Sequence, residues 1–216
     1  ATCGRIGREI YTLMKTEFGE VEEPVPPGTV GSSTMPQKRN PKLCQDIIAA
    51  AAEIRSSVPL ALEAMQIEHE ADRTTSLIMD SAEARACIMT GDMLSRLVEI
   101  MRGLRLDPAR MRANLDLGGG LIMAEAVMLE LGLALGRQSA HDVIYDAAQA
   151  AFVEGKPFSA LLKADKRVTE HLEPAAIHAL LDPTAYTGHC ADMARKAARR
   201  ARAVAGELDL KKPAFL

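Results

Sequence analysis

Apolar side chains recur every three to four residues along most of the chain, which is the spacing of one face of an α-helix. Residues 5–18 carry such a stripe and predict a first helix that ends at Gly19. A second stripe follows Pro41 and keeps close to the helical period, which predicts a helix of about six turns. Its members are Leu43, Ile47, Ala51, Ile54, Val58, Leu62 and Met65. Residues 77–104 predict another long helix that is apolar on several faces and therefore buried on more than one side.

The segments between these helices are polar or rich in helix-breaking residues. Residues 19–31 contain three prolines and three glycines, which predicts a loop without regular structure. A polar break at 66–76 separates the two long helices. Beyond Asp107-Pro108, a favourable helix start, shorter helices are predicted. Their ranges are 108–115, 121–135, 139–154, 157–164, 174–180 and 190–206.

No segment alternates apolar and polar residues as a half-buried strand does, so the predicted fold class is all-α. The change from long to short helices predicts two domains. Residues 1–105 form a long-helix segment expected to belong to a bundle completed by other subunits. Residues 106–216 form a small helical domain with a loosely ordered tail.

Composition agrees with a helical globular chain and narrows the classes of partner. Of 216 residues, 48% are apolar and only 3% aromatic, which disfavours β-sandwiches and barrels. The net charge of −3 does not favour binding to nucleic acid or to an anionic membrane. No apolar run is long enough to predict a transmembrane helix. Four scattered cysteines without a CxxC pair predict free thiols in the cytoplasm. We expect no metal, even at His69 between two glutamates, because adjacent residues point to different helix faces.

The densest cluster of chemically useful residues is the segment 31–41, GSSTMPQKRNP, directly before the second predicted helix. Hydroxyls and backbone N–H groups can bind carboxylate oxygens, and Lys38 supplies a compact positive charge. The N-terminus of the following helix is expected to add a favourable dipole. These features predict a loop that binds an anionic substrate, although a solvated basic turn has the same composition. The spacing is not that of a phosphate-binding P-loop.

This segment resembles the GSSxMPxKxNP signature of the fumarase/aspartase superfamily, and the preceding REIYTLMKTEFGEVEEP is similar to the helix and loop that lead into it. Members of that superfamily are about twice as long, so the resemblance implies that this chain corresponds to their C-terminal half. It also implies a homotetramer with active sites shared between subunits, a small polycarboxylate substrate and no cofactor. The implied reaction is β-elimination, or its reverse, next to a carboxylate through an aci-carboxylate intermediate.

The resemblance assigns roles to residues of the segment. Ser32 matches the general base, which needs nearby donors because a serine hydroxyl is a poor base on its own. Lys38 and Asn40 match the carboxylate-binding residues. Ser33, Thr34 and Met35 are expected to line the same loop, although the first two also suit a purely structural turn.

Two positions depart from the pattern of many members. Gln45 stands where they carry a Glu that pairs with a catalytic His of another subunit, and a neutral amide stabilises an imidazolium less than a carboxylate does. Gln37 replaces a common His, as it also does in argininosuccinate lyases. Gln45 is kept here as a substrate-binding candidate.

Two branches of the superfamily fit the rest of the chain. The stretches at 110–127, 135–141 and 180–188 look like the C-terminal domain of 3-carboxy-cis,cis-muconate cycloisomerases, which implies a small tricarboxylate diene from aromatic degradation. Residues 69–114 align without gaps to the pattern of adenylosuccinate lyases. At the positions that bind the nucleotide in those enzymes, however, this chain has the apolar residues Leu77, Ile78 and Met79. A third reading, from another class, is an inactive structural member of the crystallin type.

Overall fold

The computed structural model describes residues 1–25, 34–35, 38–70 and 72–210 of the chain. Most of these residues are helical and only two short strands occur among them, which confirms the all-α prediction. The α-helices of the described ranges are α1 Thr2–Leu13, α2 Lys42–Glu63, α3 Arg73–Gly103, α4 Pro108–Asp116, α5 Ala124–Leu135, α6 Arg137–Glu154, α7 Phe158–Ala164, α8 Lys166–Thr169, α9 Pro174–Leu180 and α10 Cys190–Leu210. Short 3₁₀ turns lie at Leu121–Met123 and Pro183–Ala185.

The chain divides into two compact units, residues 1–114 and 115–216. In the first unit, α2 packs against both α1 and α3. The buried core of this unit consists of Ile10, Val21, Cys44, Ile47, Ala50, Ala51, Met93 and Ile100. Two ion pairs connect α2 with α3 at its surface, Arg96 with Asp46 and Arg85 with Glu53, each at 2.7 Å.

Residues 115–216 have a separate core in which α5 and α6 pack together and α7 and α9 cover them. Its most buried side chains are Val127, Leu131, Ala140, Phe158, Leu162, Val168 and Ile177. Helix α10 contributes no buried residue at positions 190–208.

Several details differ from the sequence prediction. The segment 19–31 does contain a regular element, because Val21–Glu22 (β1) pairs antiparallel with Arg105–Leu106 (β2). Helix α1 ends at Leu13 rather than near residue 18, and α3 begins at Arg73 because the Asp72 carboxylate caps it by accepting the N–H of Thr75 at 3.1 Å. The short helix α8 has no sequence prediction and is capped in the same way by Asp165, which accepts the N–H of Arg167 at 2.9 Å.

The predicted boundary at residue 105 and the division at residue 114 differ because the start of α4 is bonded to the first unit. The Arg110 guanidinium donates to the carbonyl oxygens of Glu17 and Phe18, both at 2.8 Å. The amide of Asn114 donates to the Phe18 carbonyl at 2.9 Å and to the Glu20 carboxylate at 2.7 Å. These bonds keep residues 108–114 in the first unit.

No single helix in the described ranges is both long and apolar enough to cross a membrane; only α4 taken together with 121–135, across a sharp bend, meets the length and composition criteria.

Candidate active site

The structure describes part of the signature segment, residues 31–41, and α2 begins directly after that segment. The predictions for Ser32 and Ser33 lie outside the described residues, as does Gln37. Among the described ones, Thr34, Met35 and Lys38 are exposed and Asn40 is half-buried. The backbone N–H of Lys38 donates to the Met35 carbonyl at 3.0 Å.

The start of α2 is capped by a carboxylate of the same chain, that of Glu23, which is only 3% exposed. Its two oxygens accept the backbone N–H groups of Leu43 at 3.1 Å and Cys44 at 3.0 Å. The N–H of Lys42 donates to the Asn40 carbonyl at 2.8 Å. Because these first-turn amides are occupied, the expectation that the α2 N-terminus attracts the substrate's carboxylate does not hold in this structure.

Glu23 also affects the protonation of Cys44, the one buried cysteine of the first unit. Burial raises the pKa of the Cys44 thiol well above its ordinary value, and the hydrogen bond with Glu23 and its negative charge raise that pKa further. The thiol therefore stays protonated and does not provide a nucleophile. Its role is to complete the set of donors around the buried carboxylate.

A cavity of about 550 Å³, here called the Lys38 cavity, opens between the end of α1 and the signature segment. Its volume suits a small organic molecule. Polar and charged groups on its wall include Tyr11, Lys15 and Glu17 from the α1 side and Lys38 and Arg39 from the signature side. The thioethers of Met14 and Met35 give it an apolar part.

Gln45 lines a neighbouring cavity of about 520 Å³, the Gln45 cavity, together with Arg8, Thr12 and Ile48. The two cavities share Tyr11 and Lys15, so they adjoin along α1. The structure thus brings Met35, Lys38 and Gln45 to one continuous surface, although Gln45 and Lys38 line different cavities of it.

The positive charges of this surface differ in how they are engaged. The guanidinium of Arg39 pairs with the Glu22 carboxylate at 3.0 Å, and Arg105 approaches the same carboxylate at 3.8 Å. By contrast, Arg8, Lys15 and Lys38 form no ion pair within the described ranges. These three cations are available to an anionic ligand, whereas Arg39 is committed to Glu22.

Sequence reasoning missed the contribution of α1 to these cavities. Arg8, Tyr11 and Lys15 lie three to four residues apart and so share one side of α1 and the turn that follows it. A signal was present, because these residues recur at helical spacing within residues 5–18. Only the apolar positions of that segment entered the sequence prediction, as a buried stripe. Elsewhere in the described residues, no cluster of three or more His, Cys, Asp or Glu side chains could hold a metal ion.

Comparison with known proteins adds independent findings. The family model described as "Lyase" matches residues 2–56, which contain the whole candidate site, and the model "Adenylosuccinate lyase C-terminus" matches residues 120–197. An N-acetyl-S-(2-succino)cysteine lyase of Dickeya dadantii is 39% identical over 187 residues, covering 87% of this chain and 41% of the relative. A 3-carboxy-cis,cis-muconate cycloisomerase of Bradyrhizobium diazoefficiens is 37% identical over 187 residues, covering 87% of this chain and 42% of the relative.

A solved structure agrees with these relatives. The 3-carboxy-cis,cis-muconate lactonizing enzyme from Pseudomonas putida superposes with a TM-score of 0.75 at 38% identity, over 87% of this chain and 42% of that one. This chain therefore spans about two fifths of the length of the relatives it matches. It belongs to the fumarase/aspartase superfamily, whose C-terminal half it matches.

Proposed function

We propose that the whole protein containing this chain is a lyase or cycloisomerase that transfers a proton at a carbon next to a carboxylate. The observation that carries the proposal is the Lys38 cavity, where the signature lysine faces a ligand-sized space without an ion-pair partner in the described part of the chain. The match of residues 2–56 to the lyase family model supports it.

The chemistry requires removal of a weakly acidic C–H proton. When a base takes the proton, the electron pair moves into the neighbouring carboxylate and forms an aci-carboxylate dianion. Collapse of that dianion forms a carbon–carbon double bond and expels the leaving group with its bonding electrons. A fixed positive charge beside the carboxylate lowers the barrier because negative charge grows there in the transition state.

Lys38 supplies that charge in the proposal, and the amide of Asn40 donates a hydrogen bond to the same carboxylate. Ser32 is the proposed base, by its match to the signature. Ser33, Thr34 and Met35 shape the loop around the substrate. Gln45, at the adjoining cavity, orients a histidine or the substrate through its amide rather than through a charge.

The leading substrate is 3-carboxy-cis,cis-muconate or a close tricarboxylate relative. In the forward direction an internal carboxylate adds to a double bond and closes a lactone, and the adjacent carbon is protonated. In the reverse elimination that carboxylate is the leaving group. Two relatives with that printed activity support this assignment. The same chemistry would break the C–S bond of a 2-succino thioether, and the 39% identity to an N-acetyl-S-(2-succino)cysteine lyase makes this the second candidate. In both cases we propose a cytoplasmic homotetramer with active sites shared between subunits.

A substrate panel tests the proposal directly. The whole protein is assayed with 3-carboxy-cis,cis-muconate, N-acetyl-S-(2-succino)cysteine and adenylosuccinate. We expect one of the first two to exceed adenylosuccinate at least a hundredfold in kcat/KM. The reason is that Leu77, Ile78 and Met79 of α3 offer no donor to a phosphate, and Asp80 repels it. Efficient release of fumarate from adenylosuccinate would reverse this order, and failure to turn over any of the three would favour an inactive structural member.

Variants then test the assigned residues on the best substrate. Lys38→Met should lower kcat/KM at least a hundredfold, and Lys38→Arg should restore little because a planar guanidinium does not replace a compact ammonium. Ser32→Ala should lower kcat by several orders of magnitude with little change in binding. Lys163→Met, which removes an exposed lysine from the second unit, is the matched control. An unchanged KM and kcat in Lys38→Met would remove the lysine from the site.

A further inference from the structure

Lys15 occupies a special place on the candidate surface because it lines both the Lys38 cavity and the Gln45 cavity. Its side chain is exposed and has no ion-pair partner in the described residues. Lys38 and Lys15 therefore present two separate positive charges to the same space, one from each wall. A ligand that fills the Lys38 cavity meets both.

The backbone that carries Lys15 is held firmly. Its N–H donates to the Thr12 carbonyl at 3.1 Å, and its own carbonyl accepts the N–H groups of Phe18 at 2.9 Å and Gly19 at 2.7 Å. Gly19 has a φ of +63°, a conformation that favours glycine. The turn is also held by the hydrogen bonds that Arg110 donates to the carbonyls of Glu17 and Phe18.

The chemistry of the walls favours a carboxylate over a phosphate at this place. The guanidinium of Arg39 is paired with Glu22, so the described wall residues of the Lys38 cavity include no unpaired guanidinium that could bind a phosphate with two parallel hydrogen bonds. Glu17 adds a negative charge to the wall, which opposes a dianion more than a monoanion. Tyr11, Met14 and Met35 offer apolar contact to a carbon skeleton between the two lysines.

We propose that Lys15 is a specificity-determining residue that binds a second carboxylate of the substrate, at a distance from the carboxylate held by Lys38. This inference rests on the proposed function and deepens it, since it names the side chain that distinguishes a tricarboxylate from a dicarboxylate. Substrates with carboxylates at both ends of the cavity engage both lysines. Shorter dicarboxylates engage Lys38 alone.

Binding of unreactive ligands to the whole protein tests this without relying on turnover. Titration calorimetry with tricarballylate, which has three carboxylates, is compared with succinate, which has two. We expect Lys15→Met to weaken tricarballylate at least tenfold and succinate less than threefold, whereas Lys38→Met weakens both. Arg5→Met is the matched control, because Arg5 is an exposed cation of α1 that is not among the wall residues of either cavity, and it should leave both affinities unchanged.

The outcomes separate this inference from the proposed function. Selective loss of tricarballylate in Lys15→Met supports the subsite even if none of the panel substrates is turned over. Equal affinity of wild type and Lys15→Met for tricarballylate overturns it, even if the enzyme is active. Inorganic phosphate is titrated as well. If the wild type binds phosphate more tightly than tricarballylate, and Lys15→Met abolishes phosphate binding, the site belongs to phosphate and the inference of a carboxylate subsite is overturned.

Discussion

At the scale of single residues, Glu23 links the approach to the signature segment with the helix that follows it. A buried carboxylate without a cationic partner is costly unless hydrogen bonds compensate it. Here two backbone N–H groups of α2 and the Cys44 thiol provide them. The negative charge also lies at the positive end of the helix dipole, which further stabilises it. Glu23 thereby fixes where α2 begins, directly after Lys38 and Asn40.

We therefore expect Glu23→Gln to lower the free energy of unfolding of the first unit by about 2–3 kcal/mol. Its amide keeps one acceptor oxygen but turns an NH₂ group toward a backbone N–H, which leaves buried donors unsatisfied. Urea unfolding followed by circular dichroism measures the change. Glu22→Gln is the control, because the Glu22 carboxylate is partly exposed and pairs at the surface with Arg39 and Arg105, so its loss should cost less than about 1 kcal/mol. Equal loss in both variants would mean that the cap at α2 contributes little.

Residue types in a motif predicted one wall of the candidate site and not the other. Met35 and Lys38 lie within the motif and Gln45 follows it four residues later, so these positions could be found without a structure. Lys15 and Tyr11 reach the same cavities only because α1 packs along α2, and this placement depends on contacts between distant residues. The occupied α2 N-terminus could not be foreseen for the same reason, since Glu23 lies about twenty residues before the amides it binds.

At the scale of elements, the helical period predicted the long helices well and their ends less well. The ends depend on particular bonds, such as the Asp72 cap of α3, rather than on the apolar pattern. The ribbon of Val21–Glu22 with Arg105–Leu106 joins segments that lie far apart in the chain, and two residues are too few to alternate detectably. A short pairing of this kind leaves no signal in a single sequence.

The packing of α1 on α2 depends on two glycines that allow close approach. A Cβ atom added to Gly4 would lie 2.7 Å from the Cβ of Ala51, and one added to Gly7 would lie 3.1 Å from the Cγ2 of Ile47. Neither contact involves the end of a long flexible side chain. The distance between these helices, and with it the shape of both cavities, is therefore set by the absence of side chains at positions 4 and 7.

A pair of glycine substitutions tests this packing. Gly4→Ala should destabilise the first unit by about 1–3 kcal/mol, because the clash with Ala51 outweighs the better helix propensity of alanine. Gly91→Ala, in the middle of α3 with nothing within 4 Å of the added Cβ, should instead stabilise it by up to about 1 kcal/mol. Thermal and urea unfolding of both variants give the comparison. Stabilisation by Gly4→Ala would contradict the close approach of α1 and α2.

At the scale of the whole molecule, each unit has its own core, but the distal half of the α2–α3 pair does not contribute to one. Of the described residues between 56 and 81, only Ala64 is buried. Large apolar side chains in this stretch are instead exposed: Val58, Leu60, Leu62, Met65, Ile67, Leu77 and Met79. Monomeric proteins rarely expose so much apolar surface in one place. This distal half is suited to burial against another polypeptide.

We therefore expect residues 1–216, expressed alone, to associate in solution through this distal half. Sedimentation velocity over a range of concentrations should give a mass above that of a single chain. The double variant Leu62→Glu, Leu77→Glu should shift the distribution toward monomer. Each leucine is more than half exposed in the single chain and is expected to be buried on association, so a glutamate at its position would place a charge in the interface. Leu106→Glu is the control, since Leu106 is 60% exposed but lies outside this stretch, in β2. A wild-type chain that stays monomeric at all concentrations, or a control variant that dissociates as fully as the double variant, would contradict association through this surface.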